Sequence, residues 1–477
     1  MGFQFRWGVR RKPEVFAGAV SAACLALGYA VYKCRGPKPR RACFVDVVDP
    51  DNYAVVAMEA LRASRDGYLL DVVAVGRPVN LSMTRFHPDK MKFKTPDGEE
   101  VKIDFRQHVK EQHHEADHHN PDHSNLVLRC DVDSLVKFLL HSGVDISHLT
   151  FYDGGCSRRA GLSHAIHIEE DLIMKKDGWL RTANEIKDLQ RKMFDKTSEE
   201  RVMFRENMCR ARIRNQRFPL KSLDDFNAIW EREPRIEFTV GGPFTPLLAL
   251  GEKYKKLSEK PGTLVAMACA WKGDENLLKD NFNNQVDIDA AEAVLVEQKV
   301  FPNLRRIILT TETCKVGWLT VSAEEIRERT GWGSLADLVG LWNCFQATQA
   351  PLFDVAVSFA LDRPDAVPFE LLPARLTTIA DEASLAQRRI EVCEVHPTTG
   401  CFVHEEHQKR PEAAEGGFAE VYSSTIKYEH SSDAEVDSKL KELATEAAKT
   451  KFLDYLASAY ASRLIYRPWW KKITARL

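Results

Sequence analysis

The sequence predicts an α/β body with a mostly parallel central sheet flanked by helices. A transmembrane helix precedes that body and an amphipathic helix follows it. Strand-length apolar runs alternate with helical patterns through the body. Residues 15–32 hold no charge between two basic flanks, and residues 432–460 repeat apolar side chains at helical spacing. The implied segments are a basic head over residues 1–42, a body over 43–427 with an insert at 81–125, and a helix with a tail over 428–477.

The clearest unit comes first. Residues 42–48 read ACFVDVV and end at Asp49-Pro50-Asp51-Asn52, a turn signal. A helical pattern runs from Tyr53 to Ala63, and Leu69–Val75 is a second apolar run ending at Gly76. Strand, loop, helix and strand in that order predict a βαβ unit and parallel pairing. Similar runs recur at Leu149–Tyr152, Leu264–Ala268 and Arg306–Thr310. In such sheets ligands bind beyond the carboxyl ends of the strands, so candidate chemistry belongs just after each run.

Met91–Lys94 and Val101–Phe105 alternate apolar and polar residues around Thr95-Pro96-Asp97-Gly98, which predicts a hairpin inside the insert. His108, His113, His114, His118, His119 and His123 follow. Their spacing matches no helical metal motif, and Asn120-Pro121 interrupts any helix, so this stretch reads as a solvated polar loop.

Val15–Tyr32 is 18 residues of small and apolar side chains. At 1.5 Å per residue it spans about 27 Å, near the thickness of a hydrocarbon core. Gly18, Ala19, Ala22, Ala23 and Ala26 give it a face that another helix can approach closely. Basic residues on both sides leave its orientation undetermined. A secretory signal or a mitochondrial presequence would share the basic head.

Charge and cysteine content narrow the classes. Lys and Arg total 67 against 69 Asp and Glu, so the chain as a whole is not a nucleic-acid binder. The basic residues concentrate at the head, which leaves an acidic body. The 11 cysteines run from Cys24 to Cys401 with no C-x-x-C pair, which fits reduced thiols rather than a zinc ribbon or a disulfide scaffold.

Four segments, in order, resemble the inosine-uridine-preferring nucleoside hydrolase family. They are Phe44–Ala54 (FVDVVDPDNYA), Gly242–Leu250 (GPFTPLLAL), Asn281–Ala291 (NFNNQVDIDAA) and Pro351–Ala356 (PLFDVA). Tyr152-Asp153-Gly154-Gly155, followed by His167, is a weaker match. The resemblance implies that family's fold over residues 43–425. It also implies hydrolysis of a nucleoside N-glycosidic bond, with calcium held in a nest of aspartates and an aspartate as general base.

This chain departs where that chemistry is needed. Aligned without a gap, the family's catalytic Asp falls on Val48, and two later aspartates of the motif fall on Asn52 and Tyr53. The ribose-contacting Asn falls on Arg77, the Glu of E-F-N on Asn281, and the His before the last Asp on Phe353. Asn283 is kept. As calcium ligands the resemblance leaves the Thr245 carbonyl and Asp354, with Asp49 and Asp51 as replacements if the loop slips by one residue. Calcium takes 6–8 oxygens, and loss of a general base alone costs roughly 10²–10⁴ in rate.

At the C-terminus, Ser432 and Glu435 have capping-box spacing. Val436, Leu440, Leu443 and Ala447 continue one stripe; Phe452, Leu453, Leu456 and Tyr460 form another. The sequence predicts that this helix packs on the body. The tail that follows, with Trp469-Trp470 among basic residues, suits a membrane interface or a cleft on a larger assembly.

The expected function is therefore an accessory subunit of a membrane complex, in the mitochondrial inner membrane, with the hydrolase fold and neither its catalysis nor its calcium. Two other readings are a calcium-dependent nucleoside hydrolase with a displaced metal nest, and a nucleoside-binding sensor without turnover.

Overall fold

The computed structural model describes residues 39–47, 50–76, 92–94, 99–102, 121–156, 184, 219–271, 281–346, 350–381, 388–399, 401–404, 408 and 416–461. The predicted span at 15–32, five of the six clustered histidines, His167 and the Trp-rich tail lie outside them. Among the described residues no helix is long and apolar enough to cross a membrane.

Nine strands form the central sheet. They are β1 (Arg40–Val45), β2 (Leu69–Gly76), β3 (Leu149–Cys156), β4 (Ile236–Val240), β5 (Gly262–Met267), β6 (Leu304–Leu309), β7 (Phe369–Ala380), β8 (Arg388–Glu394) and β9 (Gly417–Ile426). Their order across the sheet is β8-β7-β9-β6-β5-β4-β1-β2-β3. Every pairing from β9 through β3 is parallel, and β7 pairs antiparallel with both neighbours. The mostly parallel sheet expected from the sequence is thus present, with an antiparallel edge added.

The inner parallel strands β1, β2, β5 and β6 are largely buried on both faces, which is why they read as apolar runs. Along β1, Cys43 and Val45 enter one core while Ala42 and Phe44 enter the other. The first core lies under helices α1 (Pro50–Asp66), α2 (Pro121–His141), α6 (Phe353–Asp362) and α7 (Ala434–Ala461). The second lies under α3 (Leu223–Trp230) and α4 (Thr245–Lys253). Phe226 and Phe238 pack there against Phe44, and Trp230 packs on both of them, with ring centroids 4.9–6.2 Å apart.

Several local expectations are met and several are refined. The hairpin in the insert is present, with Lys92–Lys94 antiparallel to Glu100–Lys102. Pro121 does not end a helix but opens α2, because proline is suited to the first turn, where its missing N–H has no partner to lose. His123 therefore lies in a helix rather than in a loop. Strand β1 starts at Arg40, so three residues counted with the basic head, Arg40, Arg41 and Ala42, belong to the sheet. Helix α7 has its predicted length, but its first turn is capped by the Asp433 carboxylate, which accepts from the Glu435 and Val436 amides, rather than by Ser432. Only its second half packs on the body: Phe452, Leu453 and Leu456 are buried, whereas Val436 and Leu443 are about half exposed (48% and 59%).

Candidate functional site

The ends of β1, β4 and β5 converge with the first turns of α1 and α6. Asp46, just after β1, is buried. The β4–α4 turn passes beside it, with the Gly241 amide donating to the Phe44 carbonyl at 2.9 Å. A β-carbon on Gly241 would lie 2.6 Å from the Asp354 carboxyl carbon, and one on Gly242 would lie 2.5 Å from the Asp46 amide nitrogen. Glycine is needed at both positions because backbone and carboxylate come closer than any side chain permits.

Asn52 and Asp354 meet at the centre, although 302 residues separate them. Each sits in the first turn of its helix, α1 and α6 respectively. The Asn52 carboxamide donates through Nδ2 to Asp354 Oδ2. Both side chains are almost fully buried. Asp51 Oδ1 accepts from the Asn52 amide at 3.0 Å. Tyr53, at the next position, turns away: it is fully buried and packs on Phe138 of α2, with ring centroids 5.7 Å apart. Phe353 is half-buried against the same core.

The other candidates are tied into neighbouring backbone and side chains. Thr245 is the first residue of α4, so its carbonyl belongs to that helix's own hydrogen-bond ladder. Its hydroxyl donates to Asp287 Oδ2 at 2.6 Å. The same Asp287 carboxylate accepts from the Ala290 amide at 3.3 Å. Asn281 caps helix α5 (Phe282–Val286) by accepting from the Asn283 amide at 2.8 Å, and it donates to Thr311 Oγ1 at 3.2 Å. Asn283 donates to the Met267 carbonyl at the end of β5, at 3.2 Å. Val48, Asp49 and Arg77 lie outside the described residues.

Burial and these carboxylates set the local electrostatics. Cys314 is fully buried; desolvation and then the charges of Asp354, Glu312 and Asp51 push its thiol well above the ordinary range. Cys43 is raised by burial first, partly opposed by a hydrogen bond with Thr239, with smaller upward contributions from Glu59 and Asp354. Neither thiol is suited to act as a nucleophile at neutral pH.

The donors among the described residues do not by themselves make up the calcium site that the resemblance implies. Asp354 offers a carboxylate already engaged by a carboxamide hydrogen. Asp287 is engaged by Thr245 and a helix amide. Among the described residues no three His, Cys, Asp or Glu side chains gather closely enough to hold a metal ion. A calcium site needs several such oxygens at about 2.3–2.6 Å from one point.

A second cluster lies elsewhere in the fold. The Arg41 guanidinium, from β1, lies 2.9 Å from Asp362 and 4.0 Å from Glu59. Arg62 pairs with Glu59 at 3.4 Å and also with Asp362. Tyr68 donates to Glu59 at 2.8 Å, and Tyr455 of α7 donates to Asp362. Burial alone would raise the Glu59 carboxyl; the charges of Arg62 and Arg41, with the hydrogen bond from Tyr68, outweigh it and hold the group below the ordinary glutamate value. The cluster joins β1, α1, α6 and α7 at the far end of α1 and α6 from Asn52 and Asp354. The only sequence signal for it was the pair of arginines at 40 and 41.

No family model and no curated protein sequence matches the chain. Among solved structures it is similar to an inosine-guanosine nucleoside hydrolase, at 11% identity and a TM-score of 0.48 over 87% of this chain and 99% of that one. It is similar to a plant nucleoside hydrolase at 11% identity and a TM-score of 0.47, over 87% and 99% of the two chains. An inosine-uridine preferring nucleoside hydrolase from Bacillus anthracis is similar at 11% identity and a TM-score of 0.42, again over 87% and 99%.

Proposed function

We propose that this chain is a pseudoenzyme: a membrane-anchored protein that keeps a nucleoside-hydrolase-like body without its catalysis and serves as a structural subunit of a membrane complex. The observation that carries the reading is the Asn52–Asp354 hydrogen bond. In the family pattern two carboxylates would face each other there and need a cation between them. A carboxamide satisfies Asp354 directly and leaves one negative charge instead of two, which removes the electrostatic demand for a divalent ion. Asn283, the one retained ribose-side candidate, is engaged by the Met267 carbonyl and buried.

The membrane part of the proposal rests on residues 15–32 and their basic flanks. The arginines at 6, 10 and 11, together with the lack of disulfide spacing, favour the mitochondrial inner membrane. Docking surfaces would be the small-residue face of the span, the exposed first half of α7 and the Trp-rich tail.

The test uses the full chain purified in mild detergent. The proposal expects no release of free base from inosine or uridine with millimolar calcium present, and co-purification with fixed partners at constant stoichiometry. Calcium-dependent release of base, abolished by a chelator, would replace it with the working-hydrolase reading. Saturable nucleoside binding without turnover would replace it with the sensor reading.

A further inference from the structure

We propose that the cavity between the C-terminal ends of α1 and α6 and the flank of α7 binds a small phosphorylated ligand. The cavity measures about 500 Å³, within the range of small-molecule sites. Arg62 and Arg65 come from α1, Asp362 and Arg363 from the end of α6, and Lys451 and Tyr455 from α7. Ser458 adds a hydroxyl and Phe359 an apolar wall.

The charges facing this space are unequal. Asp362 is taken up by Arg41, Arg62 and the Tyr455 hydroxyl. Asp454 is largely exposed and lies 3.9 Å from Arg329. Arg65 is turned onto its neighbour Asp66 at 2.7 and 2.8 Å. Arg363 and Lys451, from two different elements, line the cavity and make no ion pair or side-chain hydrogen bond with the described residues. Two unpaired cations beside a hydroxyl suit an oxyanion of more than one charge: the arginine fork binds two oxygens and the lysine supplies a point charge.

The cavity is separate from the Asn52–Asp354 centre. Asn52 and Asp354 occupy the N-terminal turns of α1 and α6, and the cavity sits at the other ends of the same two helices. From Asn52 to Arg62 the rise is about 15 Å at 1.5 Å per residue. A ligand here would therefore not compete with one at the strand ends.

The experiment is calorimetric titration of the full chain in detergent with pyrophosphate at constant ionic strength, for the unaltered protein and for Arg363→Ala, Lys451→Ala and the double variant. Both side chains are exposed, so folding should be retained; a melting curve for each variant checks this. The expected result is saturable binding that the double variant weakens at least tenfold and that saturating inosine does not displace. Absence of saturable binding would overturn the proposal. Binding of equal strength in the double variant, or its displacement by inosine, would also overturn it, since the anion would then sit elsewhere.

Discussion

Replacing Asn52 by Asp puts a second carboxylate against Asp354 and tests whether the carboxamide does the work of a cation. Two unit charges ~4 Å apart at an effective dielectric of ~20 repel by ~4 kcal/mol. A hydrogen bond to a charged group, worth about 1.5–3 kcal/mol, is lost as well. One carboxyl can escape by taking up a proton, which at pH 7 costs about 4 kcal/mol from an ordinary value near 3.9. The folded variant will follow the cheaper route, so it should be destabilised by about 3–4 kcal/mol at pH 7. The pair's folded pKa would be raised above its unfolded value. Stability is then fully present below the unfolded pKa and lost as pH rises through the folded one, so the deficit should shrink toward pH 5. Urea unfolding of the unaltered protein, Asn52→Asp and Asn52→Ala at pH 5 and 7, with and without calcium, reads all of this. Equal, pH-independent losses in the two variants would refute direct contact. Stabilisation of the unaltered protein by calcium of about 2.7 kcal/mol, the linkage value at a hundred times Kd, would refute the claim that the carboxamide has replaced the ion.

Three further outcomes are expected. Gly241→Ala should lose about 1–3 kcal/mol in the same unfolding assay, because its β-carbon would press on the Asp354 carboxylate; a neutral effect would show that the turn relaxes freely. Glu59→Gln should cost about 3 kcal/mol by leaving Arg41 and Arg62 short of a buried partner. The Glu59 pKa is held low, so this difference should persist above the ordinary glutamate value of about 4.3 and shrink as pH falls through the lower folded value, followed as the gap in urea midpoints. Alkylation of the native protein at pH 8, located by mass spectrometry, should mark exposed Cys401 well before Cys43, Cys269, Cys314 or Cys393, which are buried; early labelling of Cys314 would mean that the centre opens to solvent.

The legible parts of the fold share one property. Strands β1, β2, β5 and β6 are buried over most of their length, so burial alone writes them as apolar runs, and the edge strand β3 shows the same signal only through its buried centre. Strand β4 (IEFTV) carries a charge at Glu237, and β7 to β9 mix polar and apolar residues because their burial is partial. Those four were not predicted. The first half of α7 had the same apolar periodicity as the second. Periodicity reports a face and cannot report what covers it, so its exposure emerged only from the packing.

The sequence by itself determined which residue types stand in the first turns of α1 and α6: amide for carboxylate at position 52, phenylalanine at 353, and an aspartate at 354. Those identities are covalent facts and limit the available oxygen donors whatever the fold. Only the tertiary structure decided what each of them touches. That Asn52 hydrogen-bonds Asp354, that Tyr53 points into the core, that Thr245 is tied to Asp287 and that Arg41 belongs to a buried ion cluster all depend on groups brought together from distant parts of the chain. Side-chain direction and burial, not residue type, fix which charges are compensated and which, like Arg363 and Lys451, have no ion-pair partner among the described residues.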